Sequence, residues 1–166
     1  MKRERQHLPN EQHVAEIVRK VRNESVLTVN RFAIGSHHFV FDVLTESHQN
    51  FVIRMAAPGN REALQGAMYW YEHLKPKGIP LPDVLYSDVH ASAAPFPYVI
   101  VERLMGQDLG AVYISLSKDE KKALAREIVR IQDIAGTLPR GRGFGFVSSY
   151  QSDSFNKTWA DVLYSS

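Results

Sequence analysis

The sequence predicts a mixed fold of the α/β (α+β) class, one sheet with helices packed beside it. Three observations carry that expectation. Runs rich in Val, Ile and Phe at Val26–Phe32, His38–Thr45 and Asn50–Ala56 follow one another across short polar breaks, as consecutive strands do. Residues Arg61–Lys75 switch to a helical repeat, and two further strand-like runs follow at Val84–Ser87 and Tyr98–Leu104. Beyond Leu104 the one long periodic segment is again helical.

Taken in order, Lys2, Arg3 and Arg5 read as a solvated basic leader. Pro9-Asn10 then caps a helix in which Val14, Ile17, Val18 and Val21 share one face. Gly35-Ser36 and Glu46-Ser47-His48-Gln49 separate the first three strands, and Pro58-Gly59-Asn60 ends them. In the next helix Leu64, Ala67, Met68, Tyr71 and Leu74 repeat at helical spacing, with Asn60 as the expected cap. Pro76, Gly78, Pro80 and Pro82 stop it and stiffen the connector. Ser117-Lys118-Asp119-Glu120 is a capping box opening a helix to Ala135, with Leu124, Ile128, Ile131 and Ala135 inward and Gly136 as the stop. The tail is rich in Gly, Ser and aromatic residues and offers one short helix at Thr158–Leu163.

A chain of 166 residues fits one ordinary domain, and a fold of that size buries about 70% of its unfolded surface. Twenty Lys and Arg against 18 Asp and Glu leave +2, too little charge to demand a polyanionic partner. The absence of cysteine excludes disulfides, thiolate zinc sites and Cys nucleophiles, and fits a reducing compartment. No apolar run approaches the ~18 residues of a membrane helix, and Met1–Arg5 lacks the apolar segment of a secretory leader. A cytoplasmic protein without membrane contact is the expectation.

Two features could carry chemistry. In Ile34-Gly35-Ser36-His37-His38-Phe39, glycine beside small polar neighbours would let backbone amides approach a phosphate, although any hairpin turn also wants glycine. Arg54 interrupts the apolar strand Phe51-Val52-Ile53-Arg54-Met55 and needs either water or an anionic partner. A phosphate would serve, as would Glu62 or Glu72 of the following helix.

These pieces in this order, with the connector Gly78-Ile79-Pro80-Leu81-Pro82, resemble the small lobe of the aminoglycoside phosphotransferase family. Val101-Glu102-Arg103-Leu104-Met105-Gly106-Gln107-Asp108-Leu109 looks like that family's linker between lobes, and Phe144-Gly145-Phe146 followed by Trp159 looks like the stretch before its catalytic region. The resemblance covers roughly residues 26–163. It implies a protein-kinase-like small lobe, with a five-stranded antiparallel sheet and one packed helix, then an incomplete helical large lobe. The domains would be an N-terminal helix at 1–25, a nucleotide-binding small lobe at 26–105, and a linker with the truncated start of the large lobe at 106–166.

The same resemblance implies ATP and Mg²⁺ as cofactors and transfer of the γ-phosphate to a hydroxyl of a small-molecule acceptor. Gly35, Ser36 and His37 would lie over the phosphates, with Arg54 pairing with them where the family often has Lys. Glu62 or Glu72 would orient Arg54, since the family's usual helix Glu would fall near Ala67, and backbone groups near Glu102, Arg103 and Leu104 would hold the adenine. The family's His-x-Asp-x-x-x-x-Asn loop and later Asp, which serve the acceptor hydroxyl and Mg²⁺, have no counterpart in residues 1–166. No catalytic or metal-ligating residue is therefore assigned, and no turnover is expected from these residues alone.

Other readings were open to the same sequence. Arg142-Gly143-Phe144-Gly145-Phe146-Val147 matches most of an RNA-recognition signature, and Val112-Tyr113-Ile114-Ser115-Leu116 resembles its companion strand. Against RNA stand Ser149 in place of the last aromatic and the lack of a strand between Ala135 and Arg142. His37, His38, His48 and His90 form no ligand spacing that marks a metal site. A small lobe standing alone would expose the apolar floor of its cleft, so a non-catalytic interaction module, or self-association through that face, is the alternative to a kinase.

Overall fold

The computed structural model describes residues 8–33, 38–145 and 155–164. They form two compact units: the residues up to Ala67 with Pro82–Arg103, and Met68–Leu81 with the residues from Leu104 on.

The first unit begins with α1 (Glu11–Arg22), whose start is fixed by a reciprocal cap. The Asn10 side chain accepts from the His13 amide at 3.2 Å, and His13 Nδ1 accepts from the Asn10 amide at the same distance. Histidine thus takes the part usually played by Glu or Gln. At the other end Asn23 adopts the left-handed conformation at φ 55° and donates to the Arg19 carbonyl. The expected face is the buried one: Val14, Ile17 and Val18 are at most 2% exposed.

That face lies on an antiparallel sheet of five strands in the order β1-β2-β3-β5-β4. The strands are β1 (Val26–Arg31), β2 (Phe39–Thr45), β3 (Asn50–Met55), β4 (Val84–Asp88) and β5 (Tyr98–Glu102). Phe41 pairs with Ile53 and Ile53 with Ile100, so these three share a face. With Val43, Phe51, Met55, Phe96 and Tyr98 they make the core under α1. Fully burying each such side chain contributes ~1.5–3 kcal/mol, so this face anchors the unit.

The loop from β4 to β5 is organised by Asp88, which is 6% exposed. Its carboxylate accepts from the Ser92 amide (3.0 Å), the Ser92 hydroxyl (2.8 Å) and the Ala93 amide (2.7 Å). Burial pushes the carboxyl up, and these donors outweigh it, leaving the group below the ordinary carboxylate value.

The next helix is α2 (Arg61–Leu74), whose residues to Ala67 belong to the first unit and those from Met68 to the second. Asn60 is not its cap. A 3₁₀ turn at Pro58–Asn60 leads straight into the helix, and the extended residue before the turn is Ala57. The proline presets the first helical φ, so no capping side chain is needed.

In the second unit α3 is one turn, Leu109–Val112, capped by Asp108, and a 3₁₀ turn at Tyr113–Ser115 continues it. The segment read as a companion strand to the RNA signature is therefore helical. The long helix α4 (Lys118–Gly136) starts at the expected Ser117–Glu120 capping box. Its inward assignment holds only in part: Leu124, Ile131 and Ala135 are partly buried, whereas Ile128 is 44% exposed. Helical spacing marks the stripe that seeks cover, not whether cover is supplied. The short helix α5 (Trp159–Tyr164) is held by a third reciprocal cap, the Thr158 amide donating to the Asp161 carboxylate and the Asp161 amide to the Thr158 hydroxyl. Among the described residues no helix is long and apolar enough to cross a membrane.

Candidate functional site

The sheet has a second face, opposite α1, and Arg54 lies on it. Arg54 pairs across β2 with Val40 and across β5 with Val99, so the three side chains point the same way. One step along, Asp42, Val52 and Val101 form the next row. Val99 and Val101 are buried, while Val40, Asp42, Val52 and Arg54 are partly buried. The result is a floor of four valines carrying one central cation, Arg54, with the Asp42 carboxylate in the adjoining row.

Among the described residues Arg54 makes neither a hydrogen bond nor an ion pair. Glu62 stands exposed in the first turn of α2 and does not pair with it. An unpaired guanidinium on a partly buried face keeps its five donors available to an anion.

Arg103, next along the chain from β5, behaves differently. Its Nε meets Asp42 Oδ1 at 3.1 Å, and its guanidinium lies over the Phe32 ring at 5.4 Å. Asp42 was not singled out in the sequence; its only signal there was a lone acid at an alternating position of β2. The last strand stops at Glu102, opposite Phe51, instead of running to Leu104.

Glu102 is tied to the start of β4. Its amide donates to the Asp83 carbonyl and its carboxylate accepts from the Asp83 amide, both at 2.8 Å. One of the backbone groups expected to serve adenine is thereby engaged within the protein. Leu104 is 49% exposed and belongs to the second unit. Gly35, Ser36 and His37 lie outside the described residues. Among the described residues no three His, Cys, Asp or Glu side chains gather as a metal site.

The RNA signature fares as follows. Phe144 forms a single antiparallel bridge with Asn156, not a strand of a sheet, and Phe146 and Val147 lie outside the described residues.

Against this geometry stand the relatives. Residues 28–150 match the phosphotransferase enzyme family, APH. The chain belongs to this family. The resemblance read from the sequence and the mixed fold with its five-stranded antiparallel sheet are thus both borne out. No curated protein matches. Among solved structures, the streptomycin–ATP ternary complex of APH(2″)-IIa is 16% identical with a TM-score of 0.47, over 72% of this chain and 38% of that one. A Ralstonia eutropha JMP134 protein assigned as an aminoglycoside phosphotransferase is 18% identical with a TM-score of 0.41, over 59% of this chain and 29% of that one. The chain therefore spans well under half the length of either neighbour.

Proposed function

We propose that residues 26–105 form the nucleotide-holding lobe of a small-molecule kinase, and that residues 106–166 begin its helical lobe. The observation that carries this reading is Arg54, an unpaired cation in the middle of an apolar floor within a chain of the phosphotransferase family. An adenine nucleotide matches both features, with a flat apolar base and a polyanionic tail.

In this reading Arg54 binds the phosphates of ATP, and the turn Gly35-Ser36-His37 covers them with backbone amides. Glu62 orients Arg54 once the nucleotide is bound. The β5 exit at Glu102 and Arg103 borders the base, using groups other than the Glu102 amide. The Asp42–Arg103 pair holds that exit against β2. The bound nucleotide supplies the γ-phosphoryl group, and the complete protein would pass it to a hydroxyl of a small molecule. The family's His-x-Asp-x-x-x-x-Asn loop has no counterpart in residues 1–166, so in this reading their part is binding and orientation.

Calorimetric titration of the purified chain with ATP tests the reading. Saturable binding that ADP shares, adenosine loses and Arg54→Met weakens is the expected result. No binding at millimolar ATP, or binding that ignores the phosphates, overturns it.

A further inference from the structure

The second unit contains a hollow that the nucleotide reading does not use. It has a volume of about 560 Å³, and its walls include Trp70 near the end of α2, Leu138, Phe144, Phe155 and Trp159. That size suits a small organic ligand. Phe144 and Trp159 face each other with ring centres 5.9 Å apart and planes tilted by 52°. They remain 41% and 52% exposed, so their rings are open to solvent and not committed to a core.

The rim is built by close backbone contact. Phe144 and Asn156 exchange both amide-to-carbonyl bonds, at 2.8 and 2.7 Å. A Cβ on Gly143 would stand 2.5 Å from the Asn156 carbonyl oxygen, closer than any side chain tolerates. Glycine there lets the two segments meet, with Gly143 against Asn156 and the Phe155 side chain.

Charge then selects the ligand. Arg140 is the sole ionisable side chain among the described residues lining the hollow, and it has no hydrogen bond or ion pair among the described residues. Aromatic faces by themselves attract cations. An unpaired guanidinium, with no carboxylate among the described lining residues, reverses that preference. We infer that this hollow binds a flat aromatic acid, its ring against Phe144 and Trp159 and its anionic group on Arg140.

The chain's two tryptophans, Trp70 and Trp159, both line the site, so their indole N–H signals report it directly by NMR. The probe is trans-cinnamate, compared with cyclohexanecarboxylate, which is not flat, and cinnamylamine, which is cationic. Saturable shifts of both indole signals by cinnamate are expected, with either comparison compound about tenfold weaker or worse. Arg140→Gln, an exposed change that leaves the fold intact, should weaken cinnamate by a similar factor. No saturable shift at millimolar cinnamate, equal binding of cinnamylamine, or indifference to Arg140→Gln overturns the assignment. Preference for poly-uridine over cinnamate overturns it too, and makes the surface a nucleic-acid platform. None of these outcomes depends on ATP, so the site and the nucleotide lobe stand or fall separately.

Discussion

Replacing Arg54 by methionine should move stability and nucleotide response in opposite directions. Without ligand, the change removes an unpaired cation from between Val40 and Val99, of which Val99 is 2% exposed. An apolar cross-strand pair contributes ~0.2–1 kcal/mol, and methionine makes two such pairs. The free protein should therefore gain about 0.5–2 kcal/mol, roughly 1–8 °C in melting temperature for a chain of this size. ATP at about 100 times its Kd should stabilise the unmodified protein by ~2.7 kcal/mol. A charge-assisted bond to phosphate is worth ~1.5–3 kcal/mol, so the variant's Kd should rise ~10- to 150-fold. At the same ATP concentration only ~0.3–1.3 kcal/mol of stabilisation would remain. Differential scanning fluorimetry with and without ATP reads both effects. A variant that melts lower when free and keeps the full ATP shift would refute the reasoning, because Arg54 would then hold the sheet and not the nucleotide.

Three further outcomes concern the scaffold. The Asp88 carboxyl lies below its ordinary value, so its contribution to stability is present above an unfolded value of about 4 and is lost as pH falls through the folded one. Asp88→Asn should flatten that acid limb in melts from pH 6 to 3, and an unchanged slope would remove Asp88 from the account. Burial above all, helped by Tyr86 and Asp88, keeps the Tyr98 hydroxyl protonated, and it has no hydrogen-bond partner among the described residues. Tyr98→Phe should therefore raise stability by about 1 kcal/mol in urea titration; a loss of that size would mean the hydroxyl is bonded. Asn10→Ala should cost about 1 kcal/mol in urea titration through the lost α1 cap, and a cost near zero would remove that cap from the account.

Local grammar made much of the first unit legible. Asn10 and the Val14, Ile17, Val18 spacing placed α1, and the Val-, Ile- and Phe-rich runs at His38–Thr45 and Asn50–Ala56 placed two inner strands. The Ser117–Glu120 box placed the start of α4. What escaped depended on pairs distant in sequence. The bond of Arg103 to Asp42 exists only because β2 and the β5 exit meet in space, and nothing near either residue announces it. The Glu102 tie to Asp83 is of the same kind. Asn60 was misread because Pro58 can start a helical turn earlier than the polar residue suggests. For the candidate site, the cation was visible as an oddity within an apolar strand. Its neighbours Val40 and Val99 needed the register.

The strand order has a consequence for how the chain assembles during synthesis. Among the described residues β5 is the last strand to be made, yet it is inserted between β3 and β4 and is the only partner β4 has there. Until Tyr98–Glu102 leaves the ribosome, β3 keeps a bare edge beside Phe51, Ile53 and Met55, and β4 has nothing to pair with. A bare apolar edge recruits other chains, so the nascent protein passes through a window in which it is sticky. Any break in the message ahead of codon 98 would make that window permanent.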